Sequence, residues 1–139
     1  MNAKGVWNGC KRAIIQMLRQ GSGGKIINIV SIAGLIGTPG EPAYSASKGA
    51  SANLTRNLAI DYGPDKITVN GICPNWAPTA LSRVYYDDPK VKKEVEKITP
   101  LGRWALAKDV AKLSVFLASD ESDYLSGALI PIDGGYTAQ

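Results

Sequence analysis

The chain has 139 residues, 45% hydrophobic and 20% charged, an ordinary globular composition with room for one core and one domain. The net charge is +4, but the cations are scattered or, in Lys90-Val91-Lys92-Lys93, mixed with Glu94 and Glu96, so no nucleic-acid face is expected. There is no histidine, which excludes a serine–histidine mechanism and removes the commonest metal ligand, and no apolar run approaches the roughly 20 residues of a membrane span.

Met1-Asn2-Ala3-Lys4-Gly5-Val6-Trp7 lacks the apolar core and cleavage site of a signal peptide, so a cytoplasmic protein is expected. From about Ala3 to Gln20, Val6, Cys10, Ile14, Met17 and Leu18 recur at helical spacing and predict an amphipathic helix ending at Gly21-Ser22-Gly23-Gly24. Lys25-Ile26-Ile27-Asn28-Ile29-Val30 is a β-branched run that fits a strand buried on both faces of a parallel sheet. A Gly- and Pro-containing loop, Ser31 to Pro42, precedes a helix from about Ala43 to Asp61, which Gly63-Pro64-Asp65 stops. Ile67 to Ile72 is a second strand.

Cys73 to Pro89 reads as a loop, with Trp76, Tyr85 and Tyr86 as either substrate contacts or packing groups. A charged helix over about Asp88 to Lys97, a break at Thr99-Pro100-Leu101-Gly102-Arg103, and a helix from Ala107 to Ser119 follow. Ala128 to Ile132 forms the last strand, and Asp133-Gly134-Gly135 reads as a backbone turn. The order implies α/β layers around a partial parallel sheet of about three strands with right-handed crossovers. Cys10 and Cys73 have no C-x-x-C spacing and are expected as buried free thiols, with no metal cluster.

Tyr44 and Lys48 lie four residues apart in Ala43-Tyr44-Ser45-Ala46-Ser47-Lys48, on one face of the predicted helix. An ammonium about 4 Å from a phenol, at an effective dielectric of about 20, favours phenolate by about 4 kcal/mol. That is roughly three pKa units at most, enough to fit the phenol for acid/base work near neutrality. Taken alone, two such residues are mostly a surface pair, Ser31 is a strand-end hydroxyl and Asn2 a helix N-cap.

Ser31 stands where open α/β sheets bind ligands, thirteen residues before Tyr44. This Ser-x12-Tyr-x3-Lys arrangement resembles the short-chain dehydrogenase/reductase family. Asn2-Ala3-Lys4-Gly5-Val6 is similar to the family's Asn segment, and Pro74-Asn75-Trp76-Ala77-Pro78-Thr79 to its Pro-Gly and Thr loop. Leu101-Gly102-Arg103, Asp109-Val110-Ala111, Phe116-Leu117-Ala118-Ser119 and Asp133-Gly134-Gly135 match its C-terminal part, so the resemblance runs along the whole chain.

The resemblance implies an NAD- or NADP-dependent oxidoreductase interconverting a carbonyl and a secondary alcohol. Tyr44 would be its general acid/base and Ser31 the hydrogen-bond donor to the reacting oxygen. Lys48 would tune Tyr44 and hold the nicotinamide ribose, and Asn2 would support a water reaching Lys48. Thr79 and the backbone near Pro74, Asn75 and Ala77 would hold the nicotinamide. Asn75, where the family usually has Gly, would put a side chain near the nicotinamide. An apolar lining of Ile32, Leu35, Ile36, Trp76 and Leu81 would suit a small or medium carbonyl or alcohol.

The family's glycine-rich turn after a strand has no counterpart, because Gly21-Ser22-Gly23-Gly24 precedes a strand. By resemblance, residues 1–139 form the C-terminal part of a dehydrogenase domain without the N-terminal βαβ unit. Such a chain would expose an apolar sheet edge and be unstable or self-associating, and the helix from Ala43 to Asp61 and the last strand resemble the family's subunit contacts, which favours a homo-oligomer. The alternative is a truncated, non-catalytic interaction or scaffold module that cannot hold NAD(P) alone.

Overall fold

In the computed structural model, which describes residues 2–139, three parallel strands pair in the order β1 (Gly24–Ile29), β2 (Ile67–Pro74), β3 (Leu129–Ile132). Gly24 pairs with Ile67 and Ile29 with Ile72, while Gly71 pairs with Leu129 and Pro74 with Ile132. Parallel neighbours need long crossovers, and helices supply them. Helix α1 (Asn2–Gln20) leads into β1, and α2 (Pro42–Tyr62) joins β1 to β2. Helices α3 (Arg83–Asp87), α4 (Pro89–Ile98) and α5 (Ala107–Ala118) lie between β2 and β3. This is the expected α/β, Rossmann-like partial sheet.

Ile26, Ile67 and Val69 bury their side chains against Cys10 and Ile14 of α1 and Leu58 and Ala59 of α2. Each large apolar side chain sealed there contributes roughly 1.5–3 kcal/mol. The core therefore fixes α2 across the strands whose C-terminal ends carry the candidate chemistry. Cys10 and Cys73 are buried free thiols, as the spacing implied.

Two expectations are corrected. The first strand is not buried on both faces: Ile26 and Asn28 are buried, but Ile27 is only part-buried and Ile29 is 49% exposed. The reason is that β1 is an edge of this sheet and the α5 layer covers its second face incompletely. The segment 73–89 is not all loop, because β2 runs on to Pro74 and Arg83–Asp87 forms a helical turn. An Arg83–Asp87 ion pair at 2.8 Å supports that turn, an i,i+4 contact that apolar periodicity does not register.

Candidate active site

Helix α2 opens with Pro42 in its first turn, where a missing N–H leaves no hydrogen bond unmade. Its second turn then sets Tyr44 and Lys48 on one face, with Lys48 Nζ 5.8 Å from the centre of the Tyr44 ring. The ammonium donates to Ile29 O, the last carbonyl of β1, at 3.0 Å. Burial pushes the Lys48 ammonium below its ordinary pKa, and the neighbouring Cys73 sulfur opposes this weakly. Lys48 is thus a half-buried cation tied to a strand end, with no other hydrogen-bond partner among the described residues.

Ser31 lies two residues beyond β1 and begins the 3-10 turn Ile32–Gly34. Its Oγ accepts from Ala33 N at 3.2 Å, so the hydroxyl proton stays available to an outside acceptor. Gly34 lets this turn close on α2: a Cβ there would sit 2.8 Å from Lys48 O. Gly34→Ala is expected to lose about 1–3 kcal/mol and to move Ser31 away from α2. A lowered denaturant midpoint together with reduced turnover checks this, and an unchanged midpoint refutes the close approach.

Asn2 does not reach Lys48 directly. Its Nδ2 donates to Ser47 Oγ at 3.1 Å, and Ser47 Oγ donates to Tyr44 O at 2.7 Å. The same buried side of α2 continues with Ser51 to Ser47 O and Thr55 to Ser51 O, and Asn28 Nδ2 of β1 donates to Thr55 Oγ1 at 2.9 Å. Cys10 Sγ closes the row on Asn28 Oδ1. Ser47, Ser51, Thr55 and Asn28 are polar groups that sequence reasoning overlooked. The signal was present in the four-residue spacing of the three hydroxyls, which puts them on one helix face.

Pro74 ends β2, and the strip from Asn75 to Thr79 follows. Contrary to expectation, the Asn75 side chain turns toward β3: its Nδ2 donates to Asp133 O at 3.3 Å, while its backbone N donates to Ile132 O at 3.1 Å. The physical reason is the exit of β3, which offers two successive carbonyls beside it. Thr79 is exposed, its N donating to Ser82 Oγ at 3.0 Å, and Ser82 Oγ also donates to Ala77 O. Ser82 therefore folds the strip back on itself just before α3.

Asp133-Gly134-Gly135 is a turn, as read from the sequence. The Asp133 carboxylate accepts from Gly135 N, Thr137 N and Thr137 Oγ1. Burial pushes this carboxyl up, but the bonds from Thr137 and Gly135 outweigh it and hold the carboxyl below its usual value. Gly134 has φ +66°, and a Cβ there would meet Thr99 Cγ2 at 2.8 Å, so the turn requires glycine.

The aromatic groups pack on one another. Trp76 lies 5.6 Å from Tyr85 and 5.5 Å from Trp104, and Tyr86 packs edge-on to Trp104 at 5.1 Å. The expected apolar lining is reduced, since Ile32 is buried and Leu35 packs on Val30, Ala52 and Cys73. Ile36 and Leu81 remain exposed. A cavity of 590 Å³ opens on the β3 side, between Asn75, Arg103, Lys112 and Asp133, and none of Ser31, Tyr44 or Lys48 lines it. Ser31, Tyr44 and Lys48 therefore lie elsewhere than that hollow, which the candidate cofactor strip reaches at Asn75.

The family model described as enoyl-(acyl carrier protein) reductase matches residues 1–137. The chain is 37% identical over 138 residues to the 2-(R)-hydroxypropyl-CoM dehydrogenase of Xanthobacter autotrophicus, covering 99% of this chain and 55% of that protein. It is 39% identical to the 2-dehydro-3-deoxy-D-gluconate 5-dehydrogenase of Dickeya dadantii, over 100% of this chain and 55% of that one. The crystal structure of a gluconate 5-dehydrogenase from Burkholderia cenocepacia, in complex with NADP and tartrate, superposes with a TM-score of 0.95 at 35% identity. That match covers 99% of this chain and 54% of the other, so the chain spans about half the length of the proteins it matches.

Proposed function

Because this chain belongs to the short-chain dehydrogenase/reductase family, we propose that it carries the carbonyl-binding and proton-transfer part of an NAD- or NADP-dependent oxidoreductase. The reaction interconverts a small-molecule carbonyl and a secondary alcohol. The observation that supports this best is Gly34, whose contact with Lys48 O brings the turn beginning at Ser31 onto the helix that carries Tyr44 and Lys48. One donor and one acid/base group thereby border the same strand end.

In the reducing direction the Ser31 hydroxyl donates to the carbonyl oxygen, and the Tyr44 hydroxyl gives that oxygen its proton. In the oxidising direction Tyr44 takes the proton from the alcohol. Lys48 keeps a positive charge beside the ring where negative charge develops on proton loss. Ser47 fixes the first turns of α2 by joining Asn2 to Tyr44 O, which makes Asn2 a positioning residue for Tyr44.

The nicotinamide part of NAD(P) fits the residues present. The Lys48 ammonium makes one hydrogen bond, to Ile29 O, and its other two N–H groups suit a pair of ribose hydroxyls. Thr79 is exposed and, with Pro74, Asn75 and Ala77, forms the strip that would lie along the nicotinamide. Bound NAD(P) supplies or accepts the hydride. The glycines between β1 and α2, Gly34, Gly37 and Gly40, belong to the loop that carries Ser31 on the candidate catalytic side.

Exposed Ile60 on α2, Val115 and Phe116 on α5, and Tyr124 are apolar groups that support a homo-oligomer. Among the described residues no helix is long and apolar enough to cross a membrane. Titrating the complete protein with NADH and NADPH, followed by fluorescence, is expected to give saturable binding. No saturation below millimolar would favour the scaffold alternative and overturn the reading.

A further inference from the structure

The strip from Asn75 to Thr79 is hydrogen-bonded at its far end to Ser82, through Ala77 O and Thr79 N, and its Trp76 ring packs on Tyr85 and Trp104. At its near end it is held by three bonds. Asn75 N donates to Ile132 O, Ala105 N donates to Trp76 O at 2.9 Å, and Asn75 Nδ2 donates to Asp133 O. Only the last of these is made by a side chain. Its acceptor is firm, since the Asp133 carboxylate is itself held by Gly135 and Thr137, and Gly134 O accepts from Leu101 N at 3.1 Å.

The Asn75 amide makes this tie at a cost. Its Oδ1 is buried and accepts no hydrogen bond among the described residues, a state that destabilises a fold. Turning the amide over would place Oδ1 against Asp133 O, two acceptors facing each other, so the observed orientation is the better of the two. An apolar side chain of similar size would leave nothing unpaired, so the amide adds little to net stability. The Asn75 contribution thus lies in where it holds the backbone.

We propose that Asn75 is a positioning residue for the cofactor: it ties the exit of β2 to the Asp133 turn of β3 and thereby sets the strip that ends at Thr79. This rests on the reading of that strip as the nicotinamide side of the site. Asn75 itself faces β3 and touches no reacting atom. Its amide acts through the backbone of Trp76 to Thr79, and loss of the tie leaves those residues more conformations to give up when NAD(P)H binds.

The test uses the complete protein and two variants. Asn75→Asp keeps the shape but removes the donor, and Asn75→Ala removes both the donor and the unpaired oxygen. For Asn75→Ala the expected result is a thermal midpoint equal to or above that of the wild type, with NAD(P)H bound about three- to tenfold more weakly by fluorescence titration. The KM for cofactor should rise by the same factor while kcat changes less than twofold. Asn75→Asp should weaken binding at least as much. A lower midpoint with unchanged cofactor affinity would reduce Asn75 to a structural residue and overturn the proposal. Absence of NAD(P)H binding in the wild type would instead overturn the reading of the site, and the proposal with it.

Discussion

Tyr44→Phe in the complete protein is expected to lower turnover by roughly 10²- to 10⁴-fold, the usual contribution of a positioned acid/base group. Cofactor affinity should stay within about twofold, because the change removes one oxygen at the ring edge and leaves the backbone to which Ser47 Oγ bonds. The pairing of those two readouts matters. Loss of both would mean that α2 had shifted, and turnover that survives would remove Tyr44 from the chemistry. Steady-state kinetics beside a fluorescence titration of NADH and NADPH gives both numbers.

Lys48→Met should differ in kind. Methionine fills a similar volume but loses the charge and the bond to Ile29 O, so turnover falls by roughly 10²-fold or more and cofactor binding weakens about ten- to a hundredfold. A fall in kcat alone would assign Lys48 to Tyr44 and not to the ribose. The same variant carries a signature in stability. Burial lowers the Lys48 pKa in the fold, so between that lowered value and the ordinary lysine value the unfolded chain binds more protons than the folded one. Wild-type stability therefore gains from Lys48 as pH rises through that window and loses the gain as pH falls. Denaturant midpoints of wild type and Lys48→Met, measured side by side from neutral to alkaline pH, should show the wild type rising relative to the variant as pH passes through that window. A difference independent of pH would mean that the Lys48 ammonium is solvated. Lys48 is half-buried, so solvent screening keeps the effect modest.

The strands and the long helices were legible because their signals are local. Ile67 to Ile72 is a β-branched run, and α1 carries Val6, Cys10 and Ile14 at helical intervals. Segment boundaries moved by only one or two residues, apart from the extension of β2 to Pro74 and the turn of helix at Arg83–Asp87. That turn has one i,i+4 ion pair and two backbone bonds to Ser82 O, too little to stand out from a loop composition. The Tyr44–Lys48 pair was legible as a spacing, since a helical turn fixes the two on one face whatever surrounds them.

What the sequence determined by itself was the α/β order, the absence of histidine chemistry, and the one-faced Tyr44–Lys48 pair, all properties of composition or of short-range periodicity. Only the tertiary structure decided where the side chains send their hydrogen bonds. Lys48 reaches back to Ile29 O across nineteen residues, Asn2 meets Ser47, and Asn75 turns away to Asp133. The same holds for β1, whose apolar run reads as doubly buried until its place at the sheet edge leaves Ile29 half exposed. In each case the deciding partner lies far away in sequence, and a donor or an apolar face commits to that partner only when folding brings the two together.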